Sequence, residues 1–281
     1  VMNILIDVAY AVLDPRIPLV ELPSLDIHND HFPMRMPGLW ELKDWTDVAE
    51  VTSFSFGQFP EPLAFSLRAW RHLRERRGEF DLVHDNQCLG YGLLAIHRAG
   101  FPVLATVHHP ITVDRRLEME HAETWYKRLT LRRWYSFTNM QTRVAKRMRR
   151  VVTVSQSSFH DIARDHQVDP NRMAIVPVGV DVDLFTPLPS VAPVRGRLIT
   201  TASADVTMKG LSYLIAARAK LRTERDDAHL VVIGKRKPGG RSDETIRSLG
   251  LEDAVTFVTG VPDERIIELY SEAELAVVPS L

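Results

Sequence analysis

Short, mostly apolar runs alternate with amphipathic stretches along this chain, and this alternation limits its possible folds more than any other feature. The predicted strands are Met2–Ile6, Leu82–His84, Val103–Val107, Val151–Val154, Ala174–Val176, Leu198–Thr201, Leu230–Ile233, Val255–Val258 and Leu275–Val278. Apolar rather than alternating runs are typical of strands buried on both faces of a parallel sheet. The intervening stretches carry apolar stripes at helical spacing, such as Leu63, Leu67, Trp70 and Leu73. The sequence therefore predicts an α/β fold with parallel sheets covered by helices.

Composition places the chain among ordinary globular proteins and excludes several classes. Hydrophobic residues are 45% and charged residues 25% of the 281 residues, which excludes a disordered or fibrous chain. The 35 Lys and Arg against 36 Asp and Glu give a net charge of −1, so no global attraction to nucleic acid is expected. Cys88 is the single cysteine, which excludes an intrachain disulfide and a four-cysteine zinc site and favours a reducing, cytoplasmic setting. No apolar run reaches the roughly 18 residues that a bilayer-spanning helix needs.

The proline-rich segment Phe185–Gly196 (FTPLPSVAPVRG) predicts a linker between two domains. Its three prolines cannot donate to a sheet ladder, and each pushes the residue before it towards extended geometry. We therefore expect an N-terminal domain over 1–186 and a C-terminal domain over 187–281, with ligands gathering in the cleft between them at the carboxyl ends of the strands. The Pro-, His- and Asp-rich stretch Leu22–Asp47 is predicted to be a loop.

Both ends of the chain are abrupt. The sequence opens on VMNILIDVAYAVLDP, with Val1 before Met2 and without the basic region or small-residue cleavage pattern of a signal peptide. It closes three residues after the strand pattern at Leu275–Val278. These ends lead us to expect a fragment of a larger protein.

The sequence Gly90-Tyr-Gly92-Leu-Leu-Ala95 matches the G-x-G-x-x-A turn that binds dinucleotides. The dinucleotide motif places its first glycine almost directly after a strand, whereas here five residues follow the predicted strand end at His84. The alternative is that glycine in a first helical turn permits close packing of the helix on the sheet. We favour the packing interpretation.

A histidine pair, His108 and His109, follows the strand Val103–Val107 and precedes a proline. Histidine at a strand end can hydrogen-bond a substrate hydroxyl or carry a proton near neutral pH. A metal site would need further ligands, which His84 and Asp85 of the neighbouring strand could supply. A structural histidine satisfied by the backbone is the remaining alternative.

The segment from Thr201 to Gly210 (TASADVTMKG) joins the first strand of the second domain to a helix. Its small and hydroxyl residues and Lys209 at the helix start could offer backbone N–H groups, hydroxyls and a positive charge to a phosphate. The competing interpretation is a plain helix start capped by Asp205 or Thr207.

Residues 124–150 form a basic segment that contains aromatic residues but no Asp or Glu. Its cations are Lys127, Arg128, Arg132, Arg133, Arg143, Lys146, Arg147, Arg149 and Arg150, and its aromatic residues are Trp125, Tyr126, Trp134, Tyr135 and Phe137. This mixture predicts contact with an anionic membrane surface. Nucleic acid is a weaker alternative because no stacking platform is evident. A solvated helix balanced by the acidic residues Glu118, Glu120 and Glu123 is another.

The order of the motifs is more specific than any one of them. The series is T-V-H ending at His108, Val154-Ser155, V-P-V-G-V-D over Val176–Asp181 with Phe185 and Pro187, Lys209-Gly210, V-I-G ending at Gly234, F-V-T-G ending at Gly260, and V-P-S over 278–280. In order and spacing it resembles the retaining glycosyltransferases of family 4, over nearly the whole chain. Their fold, GT-B, has two Rossmann-like domains facing a cleft.

The resemblance implies an enzyme that transfers a sugar from a nucleotide-sugar donor to an acceptor with retention of configuration. His108 matches the family's histidine beside the donor sugar, and we expect it to be the catalytic residue. His109 and His84 are expected on the acceptor side, held mainly by the first domain. The acceptor is unknown and could be lipid-linked if residues 124–150 contact a membrane. No resident cofactor, no metal and no nucleic acid partner is implied.

The donor is expected to bind mainly to the second domain. Lys209 matches the family's lysine on the donor diphosphate, with Gly210 beside it and Ser203 in support. Gly234 and Gly260 match glycines that line the nucleotide pocket. A nucleoside diphosphate leaving group needs positive charge where its negative charge develops, and a lysine at a helix start supplies it.

Three departures from the family pattern qualify this interpretation. Ser203 stands where the family carries an arginine, so a neighbouring cation would have to compensate; the candidates are Lys235, Arg236 and Lys237. Val178 replaces the asparagine of the P-N-G-V-D element. The family's E-x7-E element would begin after Ser280, and its first strand and glycine-rich loop would precede residue 1. We therefore expect the chain as given to bind donor poorly and to turn over little.

The sequence thus predicts a hexosyltransferase-type glycosyltransferase in the cytoplasm, peripheral to the inner membrane face if the basic segment binds lipid. Two alternatives stay open from the residues. One is a nucleotide-dependent oxidoreductase built on the Gly90 turn, and the other is a non-catalytic module that binds membranes through residues 124–150.

Overall fold

The chain folds into two compact units, each with its own parallel sheet. The computed structural model describes residues 18–27, 35–202, 209–221 and 224–280. The units part between Val178 and Gly179, upstream of the boundary at 186/187 that the prolines suggested. The predicted α/β class with parallel sheets is confirmed in both units, while the predicted strand Met2–Ile6 lies outside the described residues.

The first unit contains a four-stranded parallel sheet in the order β1-β2-β3-β4. Its strands are β1 Val83–Asn86, β2 Val103–Thr106, β3 Val151–Thr153 and β4 Met173–Ile175. Its helices are α1 Trp45–Ser55, α2 Glu61–Arg74, α3 Tyr91–Arg98, α4 Thr112–Glu120, α5 Trp125–Trp134, α6 Phe137–Ala145 and α7 Gln156–Asp165, with 3₁₀ turns at Leu39–Glu41 and Pro170–Arg172. Apolar side chains of β2, β3, α3 and α6 form its buried core, among them Val103, Ala105, Val151, Leu93, Ile96 and Val144.

The register of β1 on β2 decides which side chains share a face of this sheet. Asp85 pairs with Ala105, and Asn86 pairs with Thr106. Because successive side chains alternate across a strand, Asp85 and Ala105 lie on the buried face, whereas His84, Asn86 and Thr106 share the opposite face. Strand β1 also runs past the predicted end at His84 as far as Asn86, since pairing with β2 continues after the apolar run has ended.

The glycines Gly90 and Gly92 are required by close packing of α3 against α2. A Cβ on Gly92 would lie 1.9 Å from the carbonyl oxygen of Ser66, and one on Gly90 would lie 2.1 Å from Ser66 Oγ. The backbone N–H of Gly92 donates to that same Oγ at 3.1 Å. The packing interpretation of this motif is therefore confirmed, although the partner is a helix and not the sheet that we expected.

The predicted loop Leu22–Asp47 is wrong at its C-terminal end. A 3₁₀ turn occupies Leu39–Glu41 and helix α1 begins at Trp45. Asp44 caps that helix, because its carboxylate accepts hydrogen bonds from the backbone N–H groups of Thr46 and Asp47. The apolar residues of this stretch did not predict a helix. Asp44 at the N-cap and Asp47 at N3 are the signal in the sequence that could have predicted its start.

The second unit contains a parallel sheet in the order β7-β6-β5-β8. Its strands are β5 Val194–Thr201, β6 His229–Ile233, β7 Val255–Val258 and β8 Ala273–Ala276. Its helices are α8 Leu211–Leu221, α9 Arg241–Ser248 and α10 Asp263–Ser271, with a 3₁₀ turn at Glu252–Ala254. Leu214, Ile215, Leu230, Val232 and Ile246 are at the centre of its buried core.

Two sequence expectations about this unit need correction. Strand β5 begins at Val194, so the predicted linker Phe185–Gly196 ends inside a strand. Strand β8 precedes its expected position, and Leu275, taken for a buried residue, is 56% exposed. Its exposure follows from its place, because β8 is an edge strand of the described sheet. No helix of the described ranges is both long and apolar enough to cross a membrane.

Candidate active site

The carboxyl ends of β1 and β2 bring polar side chains together on one face of the first sheet. His84 Nε2 lies 2.7 Å from Thr106 Oγ1. His108 Nε2 lies 2.8 Å from Asn86 Oδ1, so the ring donates its proton to the amide oxygen. The ring of His108 is therefore held by a side chain of the neighbouring strand, and not by the backbone as in the structural alternative.

The main chain of His108 is held by Gln87, a residue that the sequence analysis did not select. The backbone N–H of His108 donates to Gln87 Oε1 at 2.7 Å. Gln87 itself has a left-handed backbone, with φ of 62°. A side chain from the β1–α3 connection thus fixes the residue that follows β2.

The β1–α3 connection is itself tied down from two sides. Asp85 Oδ2 accepts from the backbone N–H of Leu89 at 3.1 Å. Gln141 Nε2, from α6, donates to the carbonyl oxygens of Gln87 at 3.3 Å and Cys88 at 3.2 Å. Burial raises the pKa of Asp85 to about 6, against the opposing effect of hydrogen bonds from Leu89 and Cys88. Asp85 therefore supports the β1–α3 connection from the buried face of the sheet.

Electrostatics favour a neutral ring at His108. Partial burial lowers the pKa of His108, and the nearby His109 and His84 lower it further. With Nε2 donating to Asn86, a neutral imidazole has an electron pair on Nδ1, and no described residue bonds to that atom. Nδ1 can accept a hydrogen bond from a hydroxyl group.

The other two histidines have different surroundings. His109 Nε2 lies 3.3 Å from Asp114 Oδ2, in the first turn of α4. His84 is exposed, and Asp85 next to it faces the opposite side of the sheet. The metal alternative built on His84, Asp85 and the histidine pair is therefore not assembled, and the described residues contain no cluster of three or more potential ligands.

Gly210 in the second unit adopts a conformation that favours glycine, next to a neighbouring segment. Its φ is +61°, and a Cβ there would lie 2.0 Å from the carbonyl oxygen of Pro279. Helix α8 starts directly after it, and Lys209 before it is exposed and makes no ion pair with any described residue. Ser203 and the proposed caps Asp205 and Thr207 lie outside the described residues.

Gly234 and Gly260 follow the adjacent strands β6 and β7. Gly234 comes directly after Ile233, and its backbone N–H donates to the Val258 carbonyl at 2.8 Å. Gly260 is exposed, with φ of +67° and no atom within 4 Å of a Cβ built on it. Parallel strands end at the same edge of a sheet, so Gly234 and Gly260 lie at the edge where β6 and β7 end. Strand β5 ends at this edge too, and Lys209 and Gly210 belong to the connection between β5 and α8.

Of the cations offered as substitutes for the family's arginine, Arg236 already has a partner. Its guanidinium contacts Asp243 Oδ1 at 2.6 and 2.7 Å. Asp243 Oδ2 also accepts from the backbone N–H of Gly239 at 2.9 Å and pairs with Arg247 at 2.9 Å. Lys235 and Lys237 are exposed and make no ion pair within the described ranges, so they alone keep an unneutralised charge.

The basic segment 124–150 forms α5, α6 and the turn that follows. Trp134, Tyr135 and Phe137 pack into the core of the unit, whereas Trp125 and Tyr126 are 77% and 67% exposed. None of the nine cations forms an ion pair with a described Asp or Glu. Direct ion pairs with Glu118, Glu120 or Glu123 are therefore absent among the described residues, and the choice between a solvated helix and a membrane contact stays a prediction.

Two models of known protein families match this chain. The model of "Glycosyltransferase Family 4" matches residues 28–184, and that of "Glycosyl transferases group 1" matches residues 189–281. The first match alone covers more than half of the chain. The chain belongs to glycosyltransferase family 4, as the order of its motifs indicated.

Curated relatives carry glycosyltransferase names. The chain is 48% identical over 269 residues to "MMP alpha-(1->4)-mannosyltransferase" of Mycolicibacterium hassiacum, a match covering 96% of this chain and 64% of that protein. It is 27% identical over 251 residues to "D-inositol 3-phosphate glycosyltransferase" of Segniliparus rotundus, covering 83% and 51%. The chain thus spans about half to two thirds of the length of these relatives.

Solved structures show the same fold at low identity. Sucrose-phosphate synthase from Thermosynechococcus elongatus superposes with a TM-score of 0.59 at 19% identity, covering 95% of this chain and 63% of that one. WaaG, a glycosyltransferase involved in lipopolysaccharide biosynthesis, gives 0.56 at 19% identity, covering 77% and 57%. The fold class predicted from the sequence, GT-B, is confirmed.

Proposed function

We propose that the protein transfers a hexosyl group, with mannose as the first candidate, from a nucleotide-sugar donor to an acceptor, with retention of configuration. The observation that carries this proposal is the 48% identity, over 96% of the chain, to a mannosyltransferase. The arrangement of polar groups at the carboxyl ends of both sheets is compatible with it.

The second unit would bind the donor through the edge formed by β5, β6 and β7. Gly260 has open space around it, which leaves room for a nucleotide close to the backbone, and Gly234 follows the adjacent strand β6. Lys209 at the start of α8 would stabilise the charge that develops on the departing diphosphate. Ser203 would add a hydroxyl, and Lys235 and Lys237 are better candidates than Arg236 for the charge that the replaced arginine would have supplied.

The first unit would supply His108. Its neutral ring offers Nδ1 to a hydroxyl of the donor sugar, while Asn86 fixes the orientation of the ring from the other nitrogen. His84 and His109 would lie on the acceptor side. This assignment makes His108 the residue that contacts the sugar and Asn86 and Gln87 the residues that position it.

The test is a transfer assay at protein and donor concentrations high enough to measure slow turnover, with a panel of nucleotide-sugars that includes GDP-mannose and UDP-glucose. Nucleoside diphosphate release and the anomeric proton signals are the readouts. We expect His108→Gln to lower the rate about tenfold or more, because a hydrogen bond to the reacting sugar is lost. His160→Gln is the matched control, since His160 is an exposed histidine on α7 whose ring hydrogen-bonds only to Gln156 among the described residues. Equal rates for His108→Gln and wild type, or NAD binding without any nucleotide-sugar binding, would contradict the proposal.

We further propose that the first unit contacts an anionic membrane surface through α5, which would give access to a lipid-linked acceptor. Two exposed aromatic side chains, Trp125 and Tyr126, lie beside cations that have no ion-pair partner among the described residues. Interfacial aromatics and basic charge act together at such surfaces.

Co-sedimentation with vesicles tests this surface. We expect binding to phosphatidylcholine vesicles that contain phosphatidylglycerol, loss of binding at high salt, and a severalfold weakening in Trp125→Ala. Trp40→Ala is the control, because Trp40 is 84% exposed and lies in the same unit outside the basic segment. If both tryptophan variants bind as wild type does, α5 is not the contact surface.

A further inference from the structure

A pocket of about 860 Å³ lies in the first unit between α4, α5, α6 and α7, and the proposed reaction does not use it. One face of α4 forms a wall, because Thr112, Arg115, Arg116 and Met119 follow the helical spacing that brings side chains to one side. Glu120 at the end of α4 and four residues of the other helices complete the lining: Arg128, Asn139, Thr142 and Asp165. The pocket opens widely to solvent, so a ligand bound there would keep part of its surface exposed.

The pocket carries positive charge that its own carboxylates do not neutralise. Asp165 is already occupied, since it accepts from Thr112 Oγ1 at 2.7 Å and from Arg164 Nε at 2.7 Å. No described Asp or Glu forms an ion pair with Arg115, Arg116 or Arg128. The lining therefore contains three arginines against two carboxylates, those of Asp165 and Glu120, and the charge of Arg116 is among the causes that lower the pKa of Asp165.

The guanidinium groups keep most of their donors available. Arg115 uses one N–H towards Thr138 Oγ1 at 3.3 Å, and Arg128 uses one towards the Ala122 carbonyl at 3.2 Å. Each arginine has five N–H donors, so Arg115 and Arg128 each have four donors that bond to no other described residue. Guanidinium forks match the oxygens of a phosphate in a bidentate manner.

We infer that this pocket binds a phosphomonoester on a larger polar body. The arginines would hold the phosphate, while the side chains of Asn139 and Glu120 offer hydrogen bonds to hydroxyl groups of the body. A sugar phosphate and a lipid headgroup share this chemistry. The inference does not depend on the glycosyl-transfer proposal, because it rests only on residues 112–165.

Titration calorimetry with glucose 6-phosphate, and with glucose as the uncharged comparison, tests the soluble source. We expect the phosphate ester alone to bind, and Arg116→Ala and Arg128→Ala each to weaken binding at least about tenfold, which corresponds to about 1.4 kcal/mol. Arg116→Lys should recover only part of the loss, since it keeps the charge and removes the fork. Arg98 is an exposed arginine on α3 outside the pocket, so the Arg98→Ala variant should bind glucose 6-phosphate as the wild type does.

Flotation with phosphatidylcholine vesicles that contain phosphatidic acid tests the lipid source, with the same variants. A loss of binding in Arg116→Ala that is absent in Arg98→Ala would support a headgroup in the pocket. Thermal unfolding of each variant confirms that the fold is intact. Failure of both probes to bind, or equal weakening by the pocket variants and Arg98→Ala, would overturn the inference.

Discussion

Individual residues decide how closely the elements of the first unit approach one another. Gly92 lies so close to the backbone of Ser66 that a methyl group cannot be placed between them. Ser66 Oγ also accepts the hydrogen bond of the Gly92 N–H, so the contact includes a polar interaction. Gly92 therefore has a structural role, although the G-x-G-x-x-A pattern to which it belongs is typical of nucleotide binding.

The substitution Gly92→Ala should therefore destabilise the protein. The added Cβ would have to push α3 away from α2, and such overpacking costs about 1–3 kcal/mol. Urea denaturation followed by circular dichroism measures the change. Gly179→Ala is the control, because a Cβ at Gly179 meets no atom within 4 Å; similar midpoints for the two variants would contradict the role assigned to Gly92.

At the scale of elements, the connection between β6 and α9 is held by one carboxylate. Asp243, whose side chain is 1% exposed, joins Arg236, Arg247 and the backbone N–H of Gly239. The hydrogen bond from Gly239, the interaction with Arg236 and the charge of Arg247 lower the pKa of Asp243. Lys235 and Lys237 lie on this connection, so Asp243 keeps in place the segment that is proposed to face the donor.

Replacing Asp243 by Asn should lower the urea midpoint at neutral pH and increase amide exchange at Gly239. A carboxylate whose pKa is lowered on folding contributes stability that is fully present above its ordinary pKa of 3.8 and is lost as the pH falls through the folded value. The gap between wild type and Asp243→Asn should therefore shrink as the pH is lowered towards 3. Asp253→Ala, at an exposed acidic residue of a 3₁₀ turn, is the control. A gap that does not depend on pH would contradict this electrostatic role.

At the scale of the whole molecule, the order of motifs was enough to predict the family and the parallel α/β class. Local chemistry carried that signal: apolar runs define strands, and glycines such as Gly210 stand where φ is positive. Strand ends were less accurate, because pairing with a neighbour extended β1 and β5 beyond their apolar residues.

The surroundings of the site could not be predicted in the same way. Gln87 reaches the backbone of His108 from 21 residues away, and Gln141 reaches Gln87 from 54 residues away. No periodicity or spacing in a single sequence encodes such contacts, which depend on how α6 packs near the end of β1. The pocket between α4, α5, α6 and α7 could not be predicted from the sequence either, because its lining residues come from four separate helices.

Gln87 links three separate segments of the first unit. Its side chain holds the main chain after β2, and its own carbonyl is held by a helix more than fifty residues later. The conformational entropy of ordering His108 is therefore lost when the unit folds and not when a substrate arrives. A preorganised residue of this kind makes binding less costly, and it also means that substitutions at Gln141, far from any reacting atom, would act on His108 through its backbone.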